Sequence, residues 1–142
     1  MSTIGSCLCG AVRYEITKDP HWAHYCHCSR CRKTRGAACS ANLFVVKDGF
    51  RYLQGEDALQ SFKPSEALRF THTFCRHCGS SMPWRDDTRG VVVVPMGSVD
   101  GHPGIAPVAN IFVQSKAAWF TITDALPQYP EAPTNRPDPK SE

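Results

Sequence analysis

Apolar and polar residues alternate along Ala11–Ile16 (Ala-Val-Arg-Tyr-Glu-Ile), the period-two pattern of a half-buried strand. Ser40–Val46, Arg51–Leu53, Leu59–Phe62 and Leu68–Thr73 predict further short strands, separated by Gly- or Pro-bearing turns such as Lys47-Asp48-Gly49. Val91–Pro95 reads as a continuous apolar strand, and Ile111–Gln114 and Trp119–Thr123 complete the set. A helix is expected only at Ser29–Arg35, and it is brief. The pattern predicts a mainly β domain of short strands.

The end of the chain differs. Pro127, Pro130, Pro133, Pro137 and Pro139 fall within the last 16 residues, among polar neighbours and without periodicity. Proline removes a backbone donor and fixes φ, so neither a helix nor a central strand persists there. The expected organisation is one domain, residues 1–129, followed by an extended or disordered tail, Pro130–Glu142.

A chain of 142 residues and 15.7 kDa has room for one domain. With 42% hydrophobic and 20% charged residues it is ordinary globular stock, which excludes wholesale disorder. A formal net charge of +3 is too small to predict nucleic acid as the main partner. The first residues show neither a basic n-region nor an apolar h-region, so no secretory signal is visible. The longest apolar run, Val91–Met96, is far short of the roughly 20 residues that cross a bilayer. These features predict a soluble, cytosolic protein with no membrane partner. The cytosol keeps thiols reduced, so 8 cysteines beside 6 histidines need an explanation other than disulfides.

Seven of those cysteines fall in three clusters: Cys7-Leu-Cys9, Cys26-His-Cys28-Ser-Arg-Cys31 and Cys75-Arg-His-Cys78. A C-x₂-C knuckle lets two thiolates converge on one ion, and C-x-C does so with a tighter loop. Zinc takes a tetrahedron of N and S ligands, so the seven sulfurs divide as four and three. Four thiolates close a structural site, whereas three leave a position for water or substrate. The economical division joins Cys7, Cys9, Cys75 and Cys78 and leaves the tripod Cys26, Cys28 and Cys31. A competing division pairs Cys26 and Cys28 with Cys75 and Cys78, and spacing does not exclude it. Two purely structural ions are a further alternative, with His24, His27, His72 or His77 as fourth ligand of the tripod. Iron–sulfur ligation is disfavoured because the four-cysteine runs of ferredoxins are absent. Cys39 stands alone among small residues and is expected to be a buried spectator.

The segments Gly5–Glu15, Cys26–Lys33, Phe74–Ser80 and Met96–Asp100, followed by Asn110–Trp119 and Leu126-Pro127, occur in an order that resembles the glutathione-dependent formaldehyde-activating enzyme (GFA) family, also called the centromere protein V family. The resemblance covers about Ile4 to Tyr129. It implies a β-tent architecture of several coiled antiparallel sheets carrying two zinc ions. It also implies that Cys7, Cys9, Cys75 and Cys78 hold the structural ion and that Cys26, Cys28 and Cys31 form the catalytic site. The implied activity is condensation of formaldehyde with glutathione to S-hydroxymethylglutathione, a carbon–sulfur lyase reaction in reverse.

Zinc on three thiolates carries one net negative charge, and its blunted Lewis acidity makes a soft thiol a natural fourth ligand. A thiol so bound is deprotonated and can attack an aldehyde carbon. Arg30, Arg32, Lys33 and Arg35 surround the tripod and are candidates for pairing with glutathione's carboxylates. His24 and His27 are the candidates for proton transfer at the hemithioacetal oxygen. Trp84 and Trp119 are expected to pack a core, and Asp100 to serve a turn. A zinc-dependent nucleobase deaminase is disfavoured, because the chain has no H-x-E and Phe74 rather than proline precedes Cys75. The alternative from another class is a non-catalytic protein with two structural zincs, binding nucleic acid or protein through the basic stretch Arg30–Arg35.

Overall fold

Strands dominate the computed structural model, which describes residues 2–137. In chain order they are β1 (Thr3–Ser6), β2 (Arg13–Ile16), β3 (Trp22–Cys26), then the helix α1 (Ser29–Arg35), β4 (Ser40–Val46), β5 (Phe50–Gln54) and β6 (Leu59–Phe62). They continue with β7 (His72–Cys75), β8 (Ser81–Met82), β9 (Trp84–Asp86), β10 (Val91–Pro95) and β11 (Asn110–Ile111). The mainly β expectation with several antiparallel sheets holds. Three sheets form, with strand orders β1-β2-β5, β11-β3-β4-β10-β9 and β6-β7-β8. Every pairing is antiparallel except that of β11 with β3.

The five-stranded sheet is central because both its faces are buried. Successive residues of β10 point to opposite sides. Val92 and Val94 join Leu43, Val45, Tyr14 and Phe50 in one apolar cluster. Val91 and Val93 join Trp22, Phe44, Cys26 and Cys31 in another. That double burial explains why β10 is uniformly apolar whereas β2, which alternates, is buried at Tyr14 and Ile16 and exposed at Arg13. Gly5 faces Tyr14 across the β1–β2 pair; a Cβ there would lie 2.0 Å from Tyr14 Cζ, so only glycine lets the ring lie flat over the strand.

Ser40–Val46, Leu59–Phe62, Val91–Pro95 and the helix Ser29–Arg35 form with the expected boundaries. Other segments need correction. The strand expected at Leu68–Thr73 lies instead at His72–Cys75, where β6 and β8 supply partners; Leu68 is 89% exposed. The strand expected at Ile111–Gln114 stops at Ile111, because Phe112 takes a left-handed φ of 55° and starts a 3₁₀ turn. Trp119–Thr123 forms no strand, and Trp119 is 73% exposed rather than packed in a core. β1, β3, β8 and β9 went unread, being short or carrying His, Ser and Gly within the run. Among the described residues no helix is long and apolar enough to cross a membrane.

Of the proline-rich segment, residues 138–142 lie outside the described residues. Residues 130–137 form neither helix nor strand and run back along the domain. Phe112 N–H donates to the Glu131 carbonyl (3.0 Å), Gln114 N–H to that of Pro130 (3.3 Å), and Tyr129 Oη–H to Asn135 Oδ1 (2.9 Å).

Candidate metal centres and the cavity beside one of them

Two turns, distant in sequence, bring the first sulfur group together. After β1 the chain folds on itself, with Gly10 N–H donating to the Cys7 carbonyl (3.1 Å), so that Cys7 and Cys9 point the same way. After β7 the same knuckle recurs, Gly79 N–H donating to the Cys75 carbonyl (2.7 Å). Leu8 N–H donates to Ser80 Oγ (2.9 Å) and stitches the knuckles together. The sulfurs of Cys7, Cys9, Cys75 and Cys78 consequently lie within 4.8 Å of one another. Cys7 Sγ is 3.6 Å from Cys9 Sγ, and Cys9 Sγ is 3.9 Å from Cys75 Sγ. A tetrahedron with metal–sulfur distances of about 2.3 Å has sulfur–sulfur edges of about 3.8 Å, so the spacing fits one ion. Val12, Ala58 and Met82 back the group with a small apolar cluster. The Ser80 hydroxyl and N–H hold the Cys78 thiol down to about 5.

The second group is local. Cys26 ends β3, Cys28 caps α1 and accepts the Cys31 N–H through its sulfur (3.4 Å), and Cys31 sits one turn into the helix. Their three sulfurs also lie within 4.8 Å of one another. The competing division of the cysteines is therefore not the one the fold makes. Among the described residues no histidine or carboxylate joins either group. Asn42 Nδ2–H points at Cys31 Sγ (3.8 Å) while Asn42 Oδ1 accepts from Ser40 Oγ (2.6 Å). All eight cysteines are free thiols.

The tripod opens on a cavity of about 460 Å³, within the usual range of small-molecule sites. Phe44, Phe70, Trp84, Ile111 and Phe112 supply its apolar wall. Of the expected basic residues, Arg30 and Arg35 line it, whereas Arg32 Nε–H donates to the His27 carbonyl (3.4 Å) and Lys33 is exposed. Arg69, Arg89 and Arg136 also line it. They come from three separate parts of the chain, so no local spacing could have gathered them. Arg35 is lowered by burial, against which the Cys31 and Cys26 sulfurs pull it up.

The four candidate histidines separate. His24 lines the cavity and is buried; Trp22 Nε1–H donates to its Nδ1 (2.8 Å). The indole can only donate, so the His24 proton sits on Nε2. Burial first, then Arg136 and Arg89, depress His24 to about 3, and the ring is neutral at physiological pH. His27 turns away from the cavity: its Nε2–H donates to Asn110 Oδ1 (2.8 Å), whose amide donates to Asp124 Oδ1 (3.0 Å). His72 stacks on Phe74, and His77 is exposed in the knuckle. Asp100 accepts from Ser6 Oγ–H (2.8 Å), and its N–H donates to the Ile4 carbonyl (2.8 Å), so both bonds tie it to β1 rather than to a turn of its own. Trp84 is half-buried against the tripod-side cluster. Cys39 is half-buried rather than buried; burial, then Asp124, raises its thiol.

A mainly β chain with a four-sulfur group joining distant turns, and a three-sulfur group open to a cavity, could hold two metal ions. The family model described as glutathione-dependent formaldehyde-activating enzyme matches residues 2–115. A Halomonas elongata protein, provisionally named a glutathione-dependent formaldehyde-activating enzyme, is 31% identical over 132 residues, spanning 83% of this chain and 79% of the relative. A crystal structure of a Rhodobacter sphaeroides protein shares the fold with a TM-score of 0.55 and 25% identity, over 70% of this chain and 89% of that one. The chain belongs to the glutathione-dependent formaldehyde-activating enzyme family.

Proposed function

We propose that the chain is a zinc-dependent enzyme of the carbon–sulfur lyase type that joins glutathione, or a closely related thiol, to formaldehyde. The observation that carries this reading is a three-sulfur group, without a fourth ligand among the described residues, at the wall of an arginine-lined cavity. In this reading Cys7, Cys9, Cys75 and Cys78 hold one zinc for structure, and Cys26, Cys28 and Cys31 hold the other for catalysis. The second zinc would supply a vertex at which a thiol ionises at neutral pH.

The chain's own residues do the rest. The thiol's S–H proton passes to solvent as it ionises, its sulfur pair forms the new S–C bond, and the carbonyl π pair of formaldehyde moves onto oxygen, which takes one proton back from solvent. His24 lines the cavity as a neutral imidazole held in one tautomer by Trp22, with its Nε2 3.5 Å from Asn42 Nδ2, and in this reading its Nε2–H is the donor that stabilises the developing oxyanion. Asn42 Nδ2–H orients the Cys31 sulfur. Arg30 and Arg35 attract the anionic substrate. His27 has no part, since its ring is committed to Asn110. Eight unbridged thiols suit a reducing compartment, and we place the protein in the cytoplasm.

Metal analysis should find two zinc ions per chain. Two-dimensional exchange NMR with glutathione and formaldehyde should show faster formation of S-hydroxymethylglutathione with the zinc-loaded protein than without it, and no acceleration with Cys28→Ser. A zinc-replete protein that leaves the exchange rate unchanged would remove the catalytic reading.

A further inference from the structure

The wall of the tripod cavity carries more positive charge than the cavity itself answers. Five guanidiniums line it, those of Arg30, Arg35, Arg69, Arg89 and Arg136. Two carboxylates answer them. Glu66 lies 3.9 Å from Arg30, and the buried Asp86 lies 2.5 Å from Arg89 and 3.8 Å from Arg69. Arg136 has no carboxylate partner among the described residues. Its guanidinium lies over the Phe44 ring, 5.0 Å from the centroid, and Arg89 approaches the same ring at 5.3 Å. Burial lowers Arg136, as do Arg89 and Arg69, and Asp86 alone pulls the other way. Three guanidiniums around one carboxylate are electrostatically unfinished. The segment that carries Arg136 is tied to the domain at Pro130 and Glu131, and through Asn135.

We propose that Arg69, Arg89 and Arg136 form a carboxylate-binding wall of the tripod cavity, with Arg136 delivered by the C-terminal segment, so that the thiol admitted is one that carries a carboxylate at a distance from its sulfur. This rests on the thiol reading above and narrows it. The charges agree. The five guanidiniums and two carboxylates leave a surplus of three. A divalent ion on three thiolates contributes one negative charge, and a thiolate bearing two carboxylates and one ammonium brings two. Arginine suits the task because its planar fork meets a carboxylate with two parallel hydrogen bonds. A neutral or cationic thiol of the same size would leave the surplus uncompensated.

The test is calorimetric titration of the zinc-loaded full chain with S-methylglutathione and with its diethyl ester, which share a blocked sulfur and differ only in the carboxylates. The acid should bind at least about tenfold more tightly than the ester, in line with one or two charge-assisted hydrogen bonds. Arg136→Gln should weaken the acid about tenfold and leave the ester unchanged, and Arg136→Lys should recover part of the loss. Equal affinity of the unaltered chain for acid and ester would overturn the proposal, as would an Arg136→Gln variant that weakens both alike. The thiol reading is separated by its own signal. A cobalt-substituted tripod should change its visible spectrum with glutathione and not with S-methylglutathione. Failure of that signal alone leaves the carboxylate wall standing.

Discussion

The four-sulfur and three-sulfur groups are built from the same residue and differ in how much chain each holds. The tetrad runs from Cys7 to Cys78, its inner members Cys9 and Cys75 being 66 positions apart, and ties the sheet β1-β2-β5 to the sheet β6-β7-β8. The tripod lies within residues 26–31, between the end of β3 and the first turn of α1, whose own hydrogen bonds hold its shape. Their surroundings differ as well. Ser80 and backbone N–H groups dress the tetrad, whereas arginines and an open cavity face the tripod. A group that closes a long loop converts ligand binding into folding free energy, while a local group can lose its ion and leave the fold intact. The difference teaches that the two groups are set apart by the length of chain each closes as well as by ligand number, so losing an ion should unfold the one and spare the other.

The sharpest way to break that comparison is to remove one sulfur from each group. Cys75 is itself fully buried at the base of its knuckle, and Cys75→Ser should abolish cooperative unfolding at 25 °C. Structural zinc contributes on the order of 10 kcal/mol, comparable to the whole stability of a domain. Cys28→Ser should lower zinc content from two per chain to one while its thermal transition stays within a few degrees, because a serine at that position still caps α1. Circular dichroism melts beside metal analysis read both outcomes. Equal loss of structure in the two variants would erase the distinction.

The tripod was wholly legible in the sequence, because Cys26, Cys28 and Cys31 are local and the helix Ser29–Arg35 announces itself. The tetrad was legible as two knuckles, but spacing left their pairing open until the resemblance to a family was added. β4 and β10 were read correctly because the central sheet buries both faces and tolerates only apolar residues there. β3 was missed although it carries Cys26, since His24 and Tyr25 interrupt its pattern and its partners, β4 and β11, come from later in the chain. The strand anticipated at Trp119–Thr123 failed for the converse reason: an apolar stretch found no edge to pair with. Arg69, Arg89 and Arg136 carry no sequence signal, because a charge surplus in a cavity is a property of tertiary structure.

A milder probe acts on what holds the tripod's rim. The buried Asn110 joins His27 to Asp124, and its backbone accepts the Tyr129 N–H while donating to the Pro127 carbonyl. Asn110→Ala leaves the His27 donor and the Asp124 acceptor without this partner and should cost about 2–3 kcal/mol in urea unfolding. On the tetrad's side, Gly5→Ala drives a methyl into the Tyr14 ring and should cost about 1–3 kcal/mol. Neither variant should change the zinc content. Loss of the tripod ion in Asn110→Ala would show that the local group depends on the distant chain after all, which is the property assigned here to the tetrad.

The smallest expected effect concerns protons. Without an ion the tripod's sulfurs share their protons unevenly. Hydrogen bonds from Cys26 and Cys31, with the N–H groups of Cys31 and Arg30, hold Cys28 down to about 2. Cys26 is pushed up by its contacts with Cys28 and Cys31 and by burial. A hydrogen bond from Cys26 lowers Cys31, yet the bond to Cys28 and burial outweigh it and raise Cys31 to about 12. Cys28 is thus the sulfur that gives up its proton first, and taking up an ion as three thiolates should expel the two protons held by Cys26 and Cys31. Two protons released make apparent affinity rise with pH, by about tenfold per half unit, or about 1.4 kcal/mol. His24 adds nothing to this slope, because it is already neutral in the window where the thiols titrate. Competition of Cys75-intact protein with a chromophoric zinc chelator between pH 6.5 and 7.5 measures the slope at the tripod once the tetrad is filled. A slope of three protons would mean that Cys28 is a thiol in the ion-free chain, and a flat profile would mean that the three sulfurs do not bind as thiolates.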